Sequence, residues 1–391
     1  MMLGYLLARA GVDVQVLEKH ADFLRDFRGD TIHPSTLEVM HELGILDELL
    51  RQPHQKAPQL KAKFGNLELT VADFSHLPVR CGYIAFMPQW DFLSFLARQA
   101  TRYPTFHLRM QSEVTDLIQE GQRIVGLRAS TPDGPVEVRA DLIVGADGRH
   151  SVVRMKANLR VEDFGAPMDV LWFRLSRRTA DPDVSMGRFE SGHIFIMLNR
   201  ESYWQCGYVI PKDAIALIHE AGLQAFRTDV AALAPFAADR VEELRDWSSI
   251  KLLTVKVDRL TQWSRPGLLC IGDAAHAMSP IGGVGINLAI QDAVAAANVL
   301  AEPLLARKLG VGVLARVQQR REWPTKVTQS MQIFLQKRVV KRVLGRKGRL
   351  RPPLPVRLLA HVAYLRRIPA WLIGMGVRPE HVRISEAPRT P

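Results

Sequence analysis

Gly272-Asp273-Ala274-Ala275-His276, continued by Pro280-Ile281-Gly282-Gly283-Val284-Gly285-Ile286-Asn287, is the stretch whose reading decides the fold. Ahead of it, Gly267-Leu268-Leu269-Cys270-Ile271 is a short apolar run ending in Gly-Asp, the form of a buried strand entering a turn. Behind it, Leu288 to Leu300 carries small and apolar residues at helical spacing. The order is strand, acidic turn, glycine-rich loop, helix. Glycines 282, 283 and 285 let the backbone lie close to a flat ligand. The free N–H groups that open the following helix favour negative charge beside them. An aspartate at the strand end suits a sugar or polyol hydroxyl, because a carboxylate only accepts hydrogen bonds.

Working outward, the start of the chain reads as part of a second nucleotide-binding element. Met1 to Gly11 forms a short helix closed by a glycine, and Val12-Asp13-Val14-Gln15-Val16-Leu17-Glu18 a strand ending in an acid. That is the second half of a dinucleotide-binding βαβ unit, whose closing acid, Glu18 here, takes the adenosine ribose hydroxyls. The first half, a strand followed by Gly-x-Gly-x-x-Gly, is not in the sequence. Two readings stay open. The recorded start is an internal methionine with roughly 15–20 residues ahead of it, the size of a strand plus phosphate loop; or this is a shortened variant without the pyrophosphate grip. The exposed strand edge that the second leaves favours the first.

Further along, Arg28-Gly29 precedes a helix from Leu37 to Leu43 with Ser35 or Thr36 as its cap, and Pro88-Gln89 opens an amphipathic helix to about Ala100. Residues 114–138 read as a three-stranded meander with turns at Glu120-Gly121-Gln122 and Pro132-Asp133-Gly134. The meander delivers the chain to a buried strand and then Asp147-Gly148-Arg149-His150-Ser151-Val152-Val153-Arg154. Between 165 and 265 the strands become rich in aromatics, as in an antiparallel sheet that walls a pocket. His193, Tyr203, Trp204 and Tyr208 are pocket candidates by residue type only, with sheet packing favoured for each.

With 391 residues, the chain is long enough for two domains. Cys81, Cys206 and Cys270 are odd in number, lack metal-ligand spacing and sit among apolar neighbours, so they read as buried thiols in the cytoplasm. No Ser/His/Asp set, metal site or P-loop is visible, and His276 reads as structural. The formal charge of +12 is concentrated: residues 323–379 carry 13 Lys and Arg and no Asp or Glu, and the remainder is close to neutral. Stacking aromatics are sparse among those arginines, which argues against nucleic acid. Gln318 to Leu344 and Leu354 to Arg367 read as two basic, apolar helices. They fit peripheral contact with a membrane, closure of the protein's own active-site mouth, or a solvated face.

These motifs, in this order, resemble the FAD-dependent aromatic hydroxylase family, the para-hydroxybenzoate hydroxylase-like monooxygenases. The resemblance extends to about residue 330. It implies an α/β fold: a Rossmann-like, three-layer FAD-binding domain (1–60, 84–164, 265–330) interleaved with an antiparallel-sheet substrate domain (61–83, 165–264), then a helical C-terminal tail (331–391). It implies FAD contacts at Glu18, Arg28 and Gln89, and a motif at Asp147, Gly148, Ser151 and Arg154 that serves FAD and the nicotinamide donor. Gly272 and Asp273 would hold the ribityl and pyrophosphate region. Pro280, Gly282, Gly283, Gly285, Ile286 and Asn287 would lie along the isoalloxazine. The activity implied is hydroxylation of an electron-rich, aromatic or lipophilic small molecule by NADH or NADPH and O₂, through a flavin hydroperoxide. No single catalytic acid or base stands out. Alternatives are a reductase or halogenase on the same fold, although no Trp-x-Trp-x-Ile signature is present, or a chain that no longer holds FAD.

Overall fold

A computed structural model describes residues 1–24, 31–65, 67–183, 185–345 and 354–387. Two kinds of sheet organise the chain. Parallel pairing occurs in two separate pieces: Val14–Leu17 with Phe106–Arg109, and Ile143–Gly145 with Leu268–Cys270, the latter extended by antiparallel Ser264–Arg265. On one side lie the helices Met2–Arg9, Gln89–Ala100 and Gly285–Leu305, the first packed on both of the others. On the other lies the three-stranded antiparallel meander Glu113–Glu120, Arg123–Thr131 and Gly134–Arg139. These are the three layers expected, but the central sheet is split between Val14–Leu17 and Ile143–Gly145. Val14, Val16, Leu17 and Val144 are only partly buried, because among the described residues the edges that face the split carry no neighbouring strand.

The second sheet is seven-stranded, in the order Lys251–Leu253, Met168–Ser176, Tyr203–Pro211, His193–Asn199, Met186–Glu190, Gln59–Phe64, Leu67–Asp73. All its neighbours are antiparallel except Met186–Glu190 with Gln59–Phe64. Strand alternation divides its side chains between two faces. Leu171, Phe173, Leu175, Trp204, Cys206, Tyr208 and Ile210 pack under Leu223–Leu233 in a core of their own. The opposite face looks toward the flavin-type loop. The stretch expected to be one helix after Lys212 is two, Ile215–Ala221 and Leu223–Leu233, broken at Gly222 with φ +87°.

Gly285–Leu305 is the central helix, with Asp292, Val294, Ala295, Ala296, Ala297 and Leu300 buried to 4% exposure or less. Its length and apolarity would suffice to cross a membrane, but most of it is buried inside the protein, so burial accounts for its composition. The helix runs Pro34–Glu42 with His33 at its N-cap position and no side-chain cap, and Ser35 and Thr36, the expected caps, are buried within its first turn. The C-terminal region is not one appendage. Val311–Leu335 continues through a π-turn, Gln336–Val340, into Lys341–Leu344, and Leu354–His361 is separated from Arg367–Gly374 by a short 3₁₀ segment. The last described residues run back along the first domain: the Ala387 N–H donates to the Arg9 carbonyl, and Arg9 pairs with Glu386.

Candidate cofactor and substrate site

One cavity of about 2220 Å³ lies between the split parallel sheet and the seven-stranded sheet. From the first domain it is lined by Glu18, Gln89, Asp147, Gly148, Gly272, Asp273, Pro280, Gly282, Gly283, Gly285 and Ile286. These eleven come from five separate parts of the sequence, and the fold brings them to one wall. Arg154 and Asn287 stand behind that wall, and Arg28 lies outside the described residues.

The turn and loop are held by the protein's own polar groups. Asn287 accepts hydrogen bonds from the His33 N–H (2.9 Å) and the Thr36 hydroxyl (2.8 Å). It donates to the carbonyls of Thr31 (2.9 Å) and Gly283 (3.2 Å). The Thr31 hydroxyl also donates to the Gly283 carbonyl at 2.9 Å. Gly282 and Gly283 take φ of +80° and +64°, and a Cβ on Gly283 would stand 2.5 Å from the Thr31 Oγ1. The loop backbone therefore forms the cavity surface itself. The helix that follows starts at Val284 without a side-chain cap, so its first N–H groups are free to meet a ligand's partial negative charge.

Asp292, about two helical turns further in, fixes the Gly272 turn from below. Its Oδ2 accepts the Gly272 N–H at 3.0 Å and meets His276 Nε2 at 2.5 Å, and its Oδ1 accepts Arg321 Nε at 2.9 Å. Burial opposes the ionised form, but His276 and Arg321 outweigh it and hold the carboxyl below the usual range. Arg321 then reaches the Arg378 carbonyl (3.1 Å) and Glu380 (3.5 Å). His276 is structural, as its sequence context suggested.

In the Asp147 motif Ser151 is the N-cap of the short helix Val152–Lys156, its Oγ accepting the Arg154 N–H at 2.9 Å. Ser151 Oγ and the Val153 N–H both donate to the Asp147 carboxylate, at 2.5 and 3.1 Å. Arg154 is buried and paired with Asp258 at 3.2 Å, and it donates to the carbonyls of Arg149 and Ala274. It ties the Asp147 turn to the Gly272 turn. Beside it, Arg149 faces Asp273 at 3.9 Å across the cavity wall.

A stripe of glutamines is a functional feature that the sequence reading passed over. Gln329 donates to the carbonyls of Asp258 and Ala277, Gln332 to those of Ser279 and Ile281, and Gln336 to Ser279 Oγ. The backbone from 277 to 281 is irregular and buried, so its carbonyls need partners from elsewhere. Spacing of three and four residues puts all three amides on one helix face. Buried amides at that spacing were the available signal.

The substrate side is lined by Leu60, Ala62, Phe64, Met168, Val170, Trp172, Phe189, Ile194, Ile196, Leu198, Gln205 and Val209, among others. Phe64 and Phe189 stack face to face with centroids 4.3 Å apart. Trp172 lies directly opposite Gly207, whose missing side chain leaves room for the indole; a Cβ there would be 3.0 Å from the ring. None of His193, Tyr203, Trp204 and Tyr208 lines the cavity. Trp204 and Tyr208 belong to the other face, and His193 Nδ1 is 2.7 Å from the Tyr208 hydroxyl. Strand register put Trp172 at the cavity, a residue the sequence reading had not singled out.

FAD is not present in the structure, but the cavity wall fits it. Two adjacent glycines with positive φ leave bare backbone for a flat ring, an uncapped helix start lies beside them, and the partly exposed carboxylates of Asp273 and Glu18 suit ribityl and ribose hydroxyls.

Comparison with known proteins agrees with this geometry. The family model described as FAD binding domain matches residues 1–330. The 6-methylpretetramide 4-monooxygenase of Streptomyces rimosus is 31% identical over 338 residues, covering 85% of this chain and 80% of that protein. The rifampicin monooxygenase of Rhodococcus hoagii is 28% identical over 75% of this chain, which spans 60% of that relative's length. Among solved structures, p-nitrophenol 4-monooxygenase from Pseudomonas putida superimposes with a TM-score of 0.76 at 20% identity, covering 96% of this chain and 95% of the other.

Proposed function

The chain belongs to the FAD binding domain family and is an FAD-dependent monooxygenase with NADH or NADPH as electron donor; from that premise we propose that its substrate is a flat, largely apolar, electron-rich aromatic molecule. The observation that carries this reading is the two-sided cavity. Backbone and polar turns form one wall, and a largely apolar sheet with Trp172, Phe64 and Phe189 forms the other.

When bound, FAD supplies electron transfer from the nicotinamide donor and activation of O₂. This chain's residues do the holding and the aiming. Gly282 and Gly283 present the backbone on which the isoalloxazine would rest, and Asn287 and Thr31 keep that backbone in place. Asp273 and Glu18 would take the ribityl and ribose hydroxyls, and Gln89 would face the cofactor from the start of its helix. The Asp147-Gly148 turn, braced by Arg154, would support both FAD and the donor. The apolar sheet face excludes water and presses a flat substrate toward the loop, so rate comes from placement rather than from a side-chain acid or base. Gln205 and Lys61 are polar side chains of the sheet that line the cavity, and Gln205 would orient a substrate carbonyl or hydroxyl. The three free, buried thiols support a cytoplasmic address.

The test is the visible absorbance of the purified chain, followed by NADH and NADPH oxidation with a panel of neutral and anionic phenols and multi-ring aromatics. Flavin bands, with oxidation stimulated more by neutral multi-ring compounds, support the proposal. Flavin bands with stimulation by small anionic phenols alone would overturn the substrate class. A chain that takes up no FAD would overturn the site assignment.

A further inference from the structure

We propose that the C-terminal face, built from residues 334–345 and 357–371, docks on the surface of an anionic lipid bilayer. Two segments make this face, and they contribute differently. In Gln336–Val340 and Lys341–Leu344 the apolar side is already used: Val340 and Val343 are buried against the seven-stranded sheet, and the Gly192 N–H donates to the Val343 carbonyl at 3.0 Å. Lys337, Arg338, Lys341 and Arg342 are left on the outside. This segment offers charge and, apart from Phe334 (60% exposed), no free apolar side chain of size.

The second segment is the reverse. Ala370 and Gly374 pack inward, Gly374 against Phe74, Leu77 and Pro34. Outward stand Leu358 (55% exposed), Val362 (40%), Tyr364 (69%), Ile368 (57%) and Trp371 (41%). So many large apolar side chains within fourteen residues is more than scattered surface hydrophobics explain. Arg357 and Arg367 lie among them, and the Arg367 guanidinium sits 4.8 Å from the centre of the Tyr364 ring. Both segments reach the cavity: Leu335, Val339 and Val340 of the first and Leu359 of the second line it.

Charge selects the partner. Residues 323–379 contain no Asp or Glu, and among the described residues none of Lys337, Arg338, Lys341, Arg342, Arg357 and Arg367 pairs with a carboxylate. A surface with aliphatic and aromatic side chains beside unpaired cations meets both demands of an anionic bilayer: apolar burial at the acyl boundary and attraction to lipid phosphates. A nucleic acid would use the cations but gain nothing from Leu358, Val362 and Ile368. Leu335, Val339 and Leu359 line the cavity, so a compound held in a bilayer docked on these segments would lie close to the chamber.

The experiment is flotation of the full chain with vesicles of phosphatidylcholine alone or containing about one-third phosphatidylglycerol, at low and high salt. Binding to the anionic vesicles is expected, lost at high salt. A Lys337→Gln/Lys341→Gln variant is expected to bind about fivefold more weakly for each charge removed. Leu358→Glu/Ile368→Glu is expected to abolish binding with an unchanged melting temperature, because both residues are exposed. Absence of binding to either vesicle, or equal binding by the wild type and the Leu358→Glu/Ile368→Glu variant, would overturn the proposal. So would concentration-dependent self-association that the same variant removes without any vesicle binding. Failure here leaves the monooxygenase reading untouched, since none of these substitutions reaches the cofactor wall.

Discussion

The loop from Gly272 to Asn287 and the strand Val14–Leu17 both border the cavity, and they are held in contrasting ways. The loop is irregular, yet nearly every polar group along it has a partner: Asp292 under Gly272, glutamines under residues 277 to 281, Asn287 and Thr31 around Gly283. The strand is regular, yet among the described residues it pairs on one edge only, with Phe106–Arg109, and its apolar side chains remain half-exposed. Irregular backbone can be rigid when buried side chains saturate it, whereas regular backbone with a bare edge is not self-sufficient. The rigid half is the one that would meet the reacting ring, where placement matters most.

The largest break in that contrast should come from Asp292→Asn. The substitution keeps the shape but strips the charge that compensates buried His276 and Arg321. We expect a loss of about 3–5 kcal/mol in denaturant-monitored stability, the range for breaking a buried ion pair, together with weaker FAD retention. An unchanged unfolding midpoint would show that the network does not anchor the turn.

A second test is pH. His33 is buried, and burial lowers its pKa to about 4, only partly opposed by the Ile373 carbonyl at 2.7 Å. In the unfolded chain it titrates near 6.5. The folded state therefore binds fewer protons between these values, and stability rises with pH across that window. The contribution is fully present above about pH 6.5 and is lost as pH falls toward 4, to about 3 kcal/mol in total. In His33→Gln, the slope of stability against pH between 4 and 6.5 should flatten. An unaltered slope would assign the dependence to other groups.

The smallest effect is expected on the strand side. Glu18→Gln removes one acceptor charge from a partly exposed residue, so stability should change by less than about 0.5 kcal/mol. FAD titration followed by flavin fluorescence should show a several-fold weaker affinity. A stability loss as large as that of Asp292→Asn would mean that the two sides are equally braced, and the contrast would fall.

Much of the candidate wall could be placed from sequence because its signals are local. A strand, an acid and a glycine loop before a helix are neighbours in the chain, and φ-positive glycines can be anticipated from their position. Arg154 shows the limit: its place in the Asp-Gly motif was readable, but its partner Asp258 lies 104 residues away, so its bracing role was not. The glutamine stripe was readable as a spacing but had no meaning until the backbone it serves was in place.

The sequence alone determined the succession of elements, the flavin-type loop and the concentration of basic charge in residues 323–379, because each depends on neighbouring residues, backbone conformation or simple counting. Only the tertiary structure decided which side of each substrate strand faces the cavity. A shift of one residue in register exchanges Trp172 for Phe173 and Gln205 for Trp204, and register depends on pairing across distant strands. The same holds for the C-terminal segments. Both read as basic and apolar, but packing consumed the apolar side of the first and left that of the second in solvent.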